Sequence, residues 1–227
     1  MLSLMFIANE KHKFIFVDIP LSIQQIPETI NDYVLDCCPV NSYKKHKNIL
    51  PFFCYSVDIK NKIGEREWKK LYTFGVIRNP FDRMVDMFDF FATGPVDRIA
   101  WCRGIKNTKA AIREQHRLQS RGFVKWLTDD KDYEYLHTTP FCGHRLTPQV
   151  NWLSEVKEIF SFEHTSPLLN KVFKLTKTTL PSYRGVMTKR ERLEKRASYF
   201  KSSQPAIDLV ADSFKEDIKM FKYTIDS

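Results

Sequence analysis

No stretch rich in glycine, serine and proline and no break in composition interrupts these 227 residues. Nothing therefore divides the chain, and one domain, 1–227, is the expectation. No internal repeat or low-complexity segment is visible. The five cysteines, Cys37, Cys38, Cys54, Cys102 and Cys142, form no C-x-x-C pair and show no zinc-ligand spacing. An odd count without such a pattern predicts reduced thiols, a cytoplasmic location and no metal centre. The opening MLSLMFIANEKHKF holds an apolar run of about eight residues, against the roughly 20 that span a bilayer, and lacks a basic n-region and a small-residue cleavage site. It predicts neither a transmembrane segment nor export.

Motifs of the helix-turn-helix, zinc-finger and RNA-recognition types are also missing, and the basic residues are scattered, which disfavours nucleic acid as a partner. The absence of G-x-x-x-x-G-K-[ST] excludes a nucleotide kinase built on that loop. What the chain does have is positive charge, with Lys+Arg 36 against Asp+Glu 27. Such an excess attracts anions: nucleotides, acidic polysaccharide or lipid head groups.

KFIFVDI, residues 13–19, is apolar almost throughout, as a strand covered on both faces must be. PLSIQQIPETINDYVLD then predicts a turn and a helix, with Pro27 in its first turn and Ile30, Val34 and Leu35 at helical spacing. KKLYTFGVI repeats the pattern. Asn79 is placed as N-cap and Pro80 as first helical residue, and Phe81, Met84, Val85 and Phe88 fall at i, i+3, i+4 and i+7. Two strand-loop-helix units predict an α/β domain with a mainly parallel sheet flanked by helices. Residues 109–128 read as helical, Ile159 to Phe162 as a third short strand, and SPLLNKVFKLTK as a further helix. The closing PAIDLVADSFKEDIKMFKY sets Ile207, Val210, Ala211, Phe214, Ile218 and Phe221 on one stripe, which predicts a core-facing helix.

In an open α/β sheet ligands bind beyond the carboxyl ends of the strands, where helix N-termini present N–H groups and positive dipole ends. Arg78 is predicted at such a place. Its guanidinium is always charged and can bind two phosphate oxygens at once. It could equally pair with a carboxylate such as Asp82.

The segment FGVIRNPFDRMVDMF resembles the 3′-phosphate-binding segment of sulfotransferases that use 3′-phosphoadenosine 5′-phosphosulfate (PAPS), in particular the carbohydrate branch. KFIFVDIPLS is similar to the start of that family's 5′-phosphosulfate loop, KKHKNIL to a His-containing segment and HRLTPQVNWL to a His-x-x-x-Pro-Gln element. FSFEHTSPLLNKVF is similar to its Phe-Glu segment, and YFKSSQPAIDLVADSFKEDIKMFKY, residues 199–223, to its closing helix. The resemblance covers nearly the whole chain. It implies a P-loop-like sulfotransferase fold, PAPS or its desulfated product PAP as ligand, and Arg78 on the 3′-phosphate. It further implies Ser22, Ile23, Gln24 and Gln25 in the 5′ loop.

Departures from the family pattern fall on the chemistry. Leu21 stands where the family has a lysine whose fixed charge stabilises charge developing in the transition state. Ile23 and Gln24 stand where two glycines let the backbone close on a phosphate. Asp86 takes the place of the family's phosphate-binding serine, and a carboxylate there repels phosphate unless neutralised, for which Arg83, three residues earlier, is a candidate. Asp82, Asp86 and Asp89 could also form a solvated helix face.

Sulfuryl transfer needs a base for the acceptor hydroxyl, and histidine suits that role near neutral pH. The resemblance favours His144, then His46; His12, His116, His137 and His164 lack such support. Glu163 is expected to hold structure together. TKRERLEKR, residues 188–196, mixes both signs and reads as a solvated helix, except that Lys189 and Arg190 could close over a nucleotide, as the family's late basic loop does. Lys106 is a third cation that could replace the missing lysine. Two functions stand side by side. One is sulfuryl transfer from PAPS to a hydroxyl, on a carbohydrate; the other is a catalytically inactive sulfotransferase fold that binds an anion or nucleotide or serves as a scaffold.

Overall fold

The computed structural model describes residues 6–9, 11–17, 19, 37–39, 55–97, 100, 105–129, 147–180 and 187–227. Among the described residues five strands are present: β1 (Phe6–Asn9), β2 (Phe14–Val17), β3 (Cys37–Pro39), β4 (Tyr72–Ile77) and β5 (Glu158–Ser161). In chain order the described helices are α1 (Ser56–Ile63), α2 (Glu65–Lys70), α3 (Pro80–Thr93), α4 (Thr108–Thr128), α5 (Gln149–Trp152), α6 (Ser166–Thr176), α7 (Lys189–Phe200), α8 (Gln204–Ser213) and α9 (Lys215–Phe221), with a 3-10 turn at Phe162–His164. The chain packs as two compact units, Met1–Arg78 with Gln149–Val186, and Asn79–Pro148 with Met187–Ser227.

The first unit carries the sheet, in the order β3-β1-β2-β4-β5. Strands β2, β4 and β5 are parallel, and only β1 runs against its neighbours β2 and β3. The fold is therefore α/β with a parallel core flanked by helices, as expected. All four residues of β2 are buried, which explains the unbroken apolar run in KFIFVDI. The reversed strand was not foreseen: part of the apolar opening run, too short for a membrane, supplies β1 instead.

Phe14, Phe16, Phe74, Val76 and Phe160 form one cluster with Leu168 and Val172 of α6, covering one face of the sheet. The other face is closed at Gly75, where a Cβ would stand only 2.4 Å from Leu153 Cδ2. Glycine at this position lets the segment after α5 settle on the strand. That segment is fixed in turn by α1 and α2. Ser56 Oγ accepts from Glu155 N at 2.9 Å, Trp68 Nε1 donates to Glu155 O at 3.1 Å, and Lys60 Nζ lies 2.8 Å from the Glu155 carboxylate.

The second unit is helical. Phe88 of α3 packs its ring 5.7 Å from Phe123 and 5.3 Å from Trp126, both on α4, and Phe81 stands 5.7 Å from Phe200 of α7. Helix α4 covers the predicted 109–128 span but turns at Gly122, whose φ of 73° a side chain would strain. Its Gln115 and Gln119 amides donate to Gly94 O and Ala92 O at 2.7 and 2.6 Å, satisfying carbonyls that the end of α3 leaves open. The single closing helix of the expectation is two helices, α8 and α9, parted at Phe214. Its buried positions include Ala206, Val210, Phe214 and Asp217, so the core stripe is displaced from the one the periodicity suggested.

Candidate functional site

Strand β4 ends at Ile77, and Arg78 follows it at the carboxyl end of the sheet. The backbone there is fixed by a side chain. Gln149 Oε1 accepts from Arg78 N at 3.1 Å while Gln149 Nε2 donates to Arg78 O at 2.7 Å, so one amide continues the strand's hydrogen bonding where no further strand residue does. Gln149 is fully buried. The Arg78 guanidinium carbon lies 5.3 Å from the centre of the Phe162 ring, and Arg78 is only 6% exposed. Ring and guanidinium attract electrostatically, which holds the planar fork in place. His-x-x-x-Pro-Gln and Phe-Glu segments, recognised in the sequence without a role for Gln149 or Phe162, thus each supply a residue that holds Arg78.

The next residue opens the second unit. Asn79 Oδ1 accepts from Phe81 N at 3.0 Å and Pro80 takes the first helical position, the predicted N-cap and N1 pairing. Asp82, in the first turn of α3, is 4% exposed. Two guanidinium groups from α7 face it: Arg196 Nε at 2.7 Å from Oδ1 and Arg192 Nε at 3.6 Å from Oδ2. Arg192 also donates from Nη1 to Met187 O at 2.7 Å. Two cations to one carboxylate leave a positive excess in these three groups, beside the positive end of the helix dipole.

One turn further along α3, Asp86 and Asp89 share a different cation. Lys195 Nζ lies 2.9 Å from Asp86 Oδ1 and 2.7 Å from Asp89 Oδ2, and the Tyr199 hydroxyl donates to Asp89. Burial alone would lower the Lys195 pKa, but its bonds to Asp89 and Asp86 outweigh it and raise it. Tyr199 is pushed up to about 12, first by burial and then by its bond to Asp89. Lys195 thus bonds Asp86; Arg83, a candidate for offsetting that charge, is fully buried with its guanidinium 5.5 Å from the Phe214 ring. The solvated face considered for Asp82, Asp86 and Asp89 is not what forms, since all three are paired with cations of α7.

Helix α7 also departs from the reading of 188–196 as a solvated helix, because Arg192 and Arg196 are buried. It begins with Thr188 Oγ1 accepting from Glu191 N at 3.2 Å and the Glu191 carboxylate accepting from Thr188 N at 2.6 Å. These bonds hold the Glu191 carboxyl below the usual range. Lys189 and Arg190 are exposed at the start of α7, with Arg190 Nε 2.7 Å from Glu194. Lys106 is exposed in the turn before α4.

Ser22, Ile23, Gln24 and Gln25, with Leu21, lie outside the described residues, as do His144, His46 and His137. Of the other histidines, His12 donates its backbone N–H to Asn9 Oδ1 at 2.8 Å, and His116 and His164 are exposed. Glu163 accepts from Ser161 Oγ at 2.6 Å, a local structural bond. Among the described residues no group of three His, Cys, Asp or Glu side chains is placed to hold a metal ion, and no helix is long and apolar enough to cross a membrane.

The sheet carries a clamped arginine at the carboxyl end of a strand, the place where open α/β sheets bind ligands. A family model for the sulfotransferase family matches residues 4–224, across both units, and the chain belongs to that family. Comparison with curated proteins and with solved structures gives no match.

Proposed function

We propose that this protein is a sulfotransferase that moves a sulfuryl group from PAPS to a hydroxyl acceptor, with a carbohydrate as acceptor. The observation that carries the reading is Arg78: buried, clamped through its backbone by Gln149, held against Phe162 and set directly before the N-cap of α3. A guanidinium fork fixed in this way at a strand's carboxyl end fits a phosphate. Arg78 would hold the 3′-phosphate, and backbone N–H groups of Ser22 to Gln25 the 5′-phosphosulfate. The bound donor supplies the sulfuryl group and a phosphate leaving group. His144 takes the acceptor's proton, and Lys189 or Arg190, exposed at the start of α7, closes over the nucleotide in place of the cation that Leu21 lacks. Asp86 belongs to the nucleotide site with its charge offset by Lys195. The whole of 1–227 acts as one domain, in the cytoplasm.

A second reading, an inactive member that binds an anion or nucleotide, is favoured by Asp86. Its carboxylate is committed to an ion pair at the position where the family uses a hydroxyl on phosphate. Both readings share nucleotide binding. Calorimetric titration with PAP tests it, and Arg78→Ala should weaken binding by about 1.5 to 3 kcal/mol, the scale of a hydrogen bond to a charged group. Unchanged affinity removes Arg78 from the site. Transfer from labelled PAPS to a panel of sugars then separates the readings: measurable turnover by the parent defeats the inactive one, and binding without turnover supports it.

A further inference from the structure

Asn79 works in two directions. Its Oδ1 caps α3, and its Nδ2 donates to Thr224 O and to Ser227 Oγ, each at 3.1 Å. Because the amide is planar, whatever holds Nδ2 also sets where Oδ1 points. The holder is itself well fixed. Ser227 Oγ accepts from Thr224 N at 2.8 Å and donates to Thr224 O at 3.0 Å. Arg196, 1% exposed, donates from Nη1 to Thr224 O at 3.2 Å and to Ile225 O, and from Nη2 to Ser227 O. Its Nε meanwhile pairs with Asp82 in the first turn of α3. A single guanidinium therefore ties three carbonyls of residues 224–227 to the start of the helix that Asn79 caps.

We propose that Ser227 and Arg196 are positioning residues for phosphate recognition by Arg78, acting through Asn79, the next residue in the chain. They touch no ligand; they lock the Asn79 amide, and Asn79 sets the helix cap and the peptide that follows Arg78. The inference rests on the reading that Arg78 holds an anionic nucleotide. Gln149 grips the backbone of residue 78, and the clasp of residues 224–227 grips the side chain of residue 79. A phosphate site gains from such prior fixing, since a donor already aimed loses little freedom when the ligand arrives. Ser227 is partly exposed and lies outside the apolar core, so removing its hydroxyl leaves the packing of the unit in place.

The test uses PAP titration, thermal unfolding and amide hydrogen exchange at Phe81 on the parent, Arg78→Ala, Ser227→Ala, Ser227→Thr and Arg196→Lys. Without any ligand, Ser227→Ala should speed exchange of the Phe81 N–H, and Ser227→Thr, which keeps the hydroxyl, should restore it. With PAP, Ser227→Ala should lose about three- to tenfold in affinity, the worth of one hydrogen bond, while remaining folded at the titration temperature. Arg196→Lys keeps a charge for Asp82 but loses the fork, and should lose affinity at least as much. Unaltered Phe81 exchange in Ser227→Ala overturns the clasp on its own terms. Unaltered affinity in Ser227→Ala, when Arg78→Ala loses binding, overturns the positioning role and leaves the nucleotide reading standing. A parent that does not bind PAP overturns that reading and the nucleotide role together, whatever the exchange shows.

Discussion

Asp82 and Asp86 stand one turn apart on α3, each facing a cation from α7, yet the two corners differ in kind. At Asp82 the groups are nine-tenths buried and the cations are guanidinium groups, Arg196 also binding three backbone carbonyls. At Asp86 the side chains are roughly 30% exposed and the cation is an ammonium shared with Asp89. An arginine fork can satisfy several acceptors in fixed directions, which a buried charge requires, whereas a lysine can bridge two carboxylates while water completes its shell. The first corner fixes a helix start beside a proposed ligand site. The second joins two helices near the surface.

The largest effect expected from this contrast is on stability. Arg196→Met takes the nearer of the two guanidinium groups from the buried Asp82 carboxylate and frees the carbonyls of residues 224–227, so unfolding by denaturant should show a loss of about 3 to 5 kcal/mol. Lys195→Met should cost about 1 kcal/mol or less, because its partners can turn to water. Equal losses would break the comparison.

A middle-sized effect sharpens it. Asp86→Ser removes a negative charge from α3 and leaves Lys195 with Asp89 alone, so PAP affinity should rise about three- to tenfold, the effect of one charge in a partly solvated site. No gain in calorimetry would mean that Asp86 has no part in the nucleotide site.

The smallest effect appears only in alkali. A phenol whose folded pKa lies above its unfolded one contributes stability that is whole below the unfolded value and lost as pH rises towards the folded value. For Tyr199 that window runs from about 10 to about 12. Thermal melts of the parent and of Tyr199→Phe, compared from pH 9 upwards, should converge across the window as the parent loses its extra stability. Tyr72 of the first unit is also raised, by burial and by its bond to Glu158, but it is present in both proteins and cancels. Parallel curves would show that the Asp89 bond does not hold the proton.

The same two corners show which parts of the site are legible in sequence. The places of Arg78, Asn79 and Pro80 were readable because they depend on neighbours one or two residues away: an apolar strand before, an amphipathic helix after, a cap bond between residues 79 and 81. Strands β2 and β4 declared themselves by being apolar on both faces. Arg192 and Arg196 did not, because TKRERLEKR mixes signs as any solvated helix does, and Asp82 lies more than a hundred residues away in the chain. The only local hint was two arginines at i, i+4, which share a helix face. The break at Phe214 was hidden in the same way: an apolar stripe continues across it, and periodicity alone does not register a change of axis. Gln149 and Phe162 were seen as parts of motifs, but their hold on Arg78 is a matter of contact, which spacing does not express.

The Gln149 amide has one more consequence. It meets Arg78 N with an oxygen and Arg78 O with a nitrogen, in a place without solvent. Deamidation would change almost nothing in its shape, yet it would turn the donor into an acceptor facing a carbonyl, with a negative charge that burial opposes. Glu is therefore the wrong isostere here, and Gln149→Glu mimics a form of chemical ageing. The backbone that carries Arg78 would lose its brace through the exchange of a single nitrogen for an oxygen.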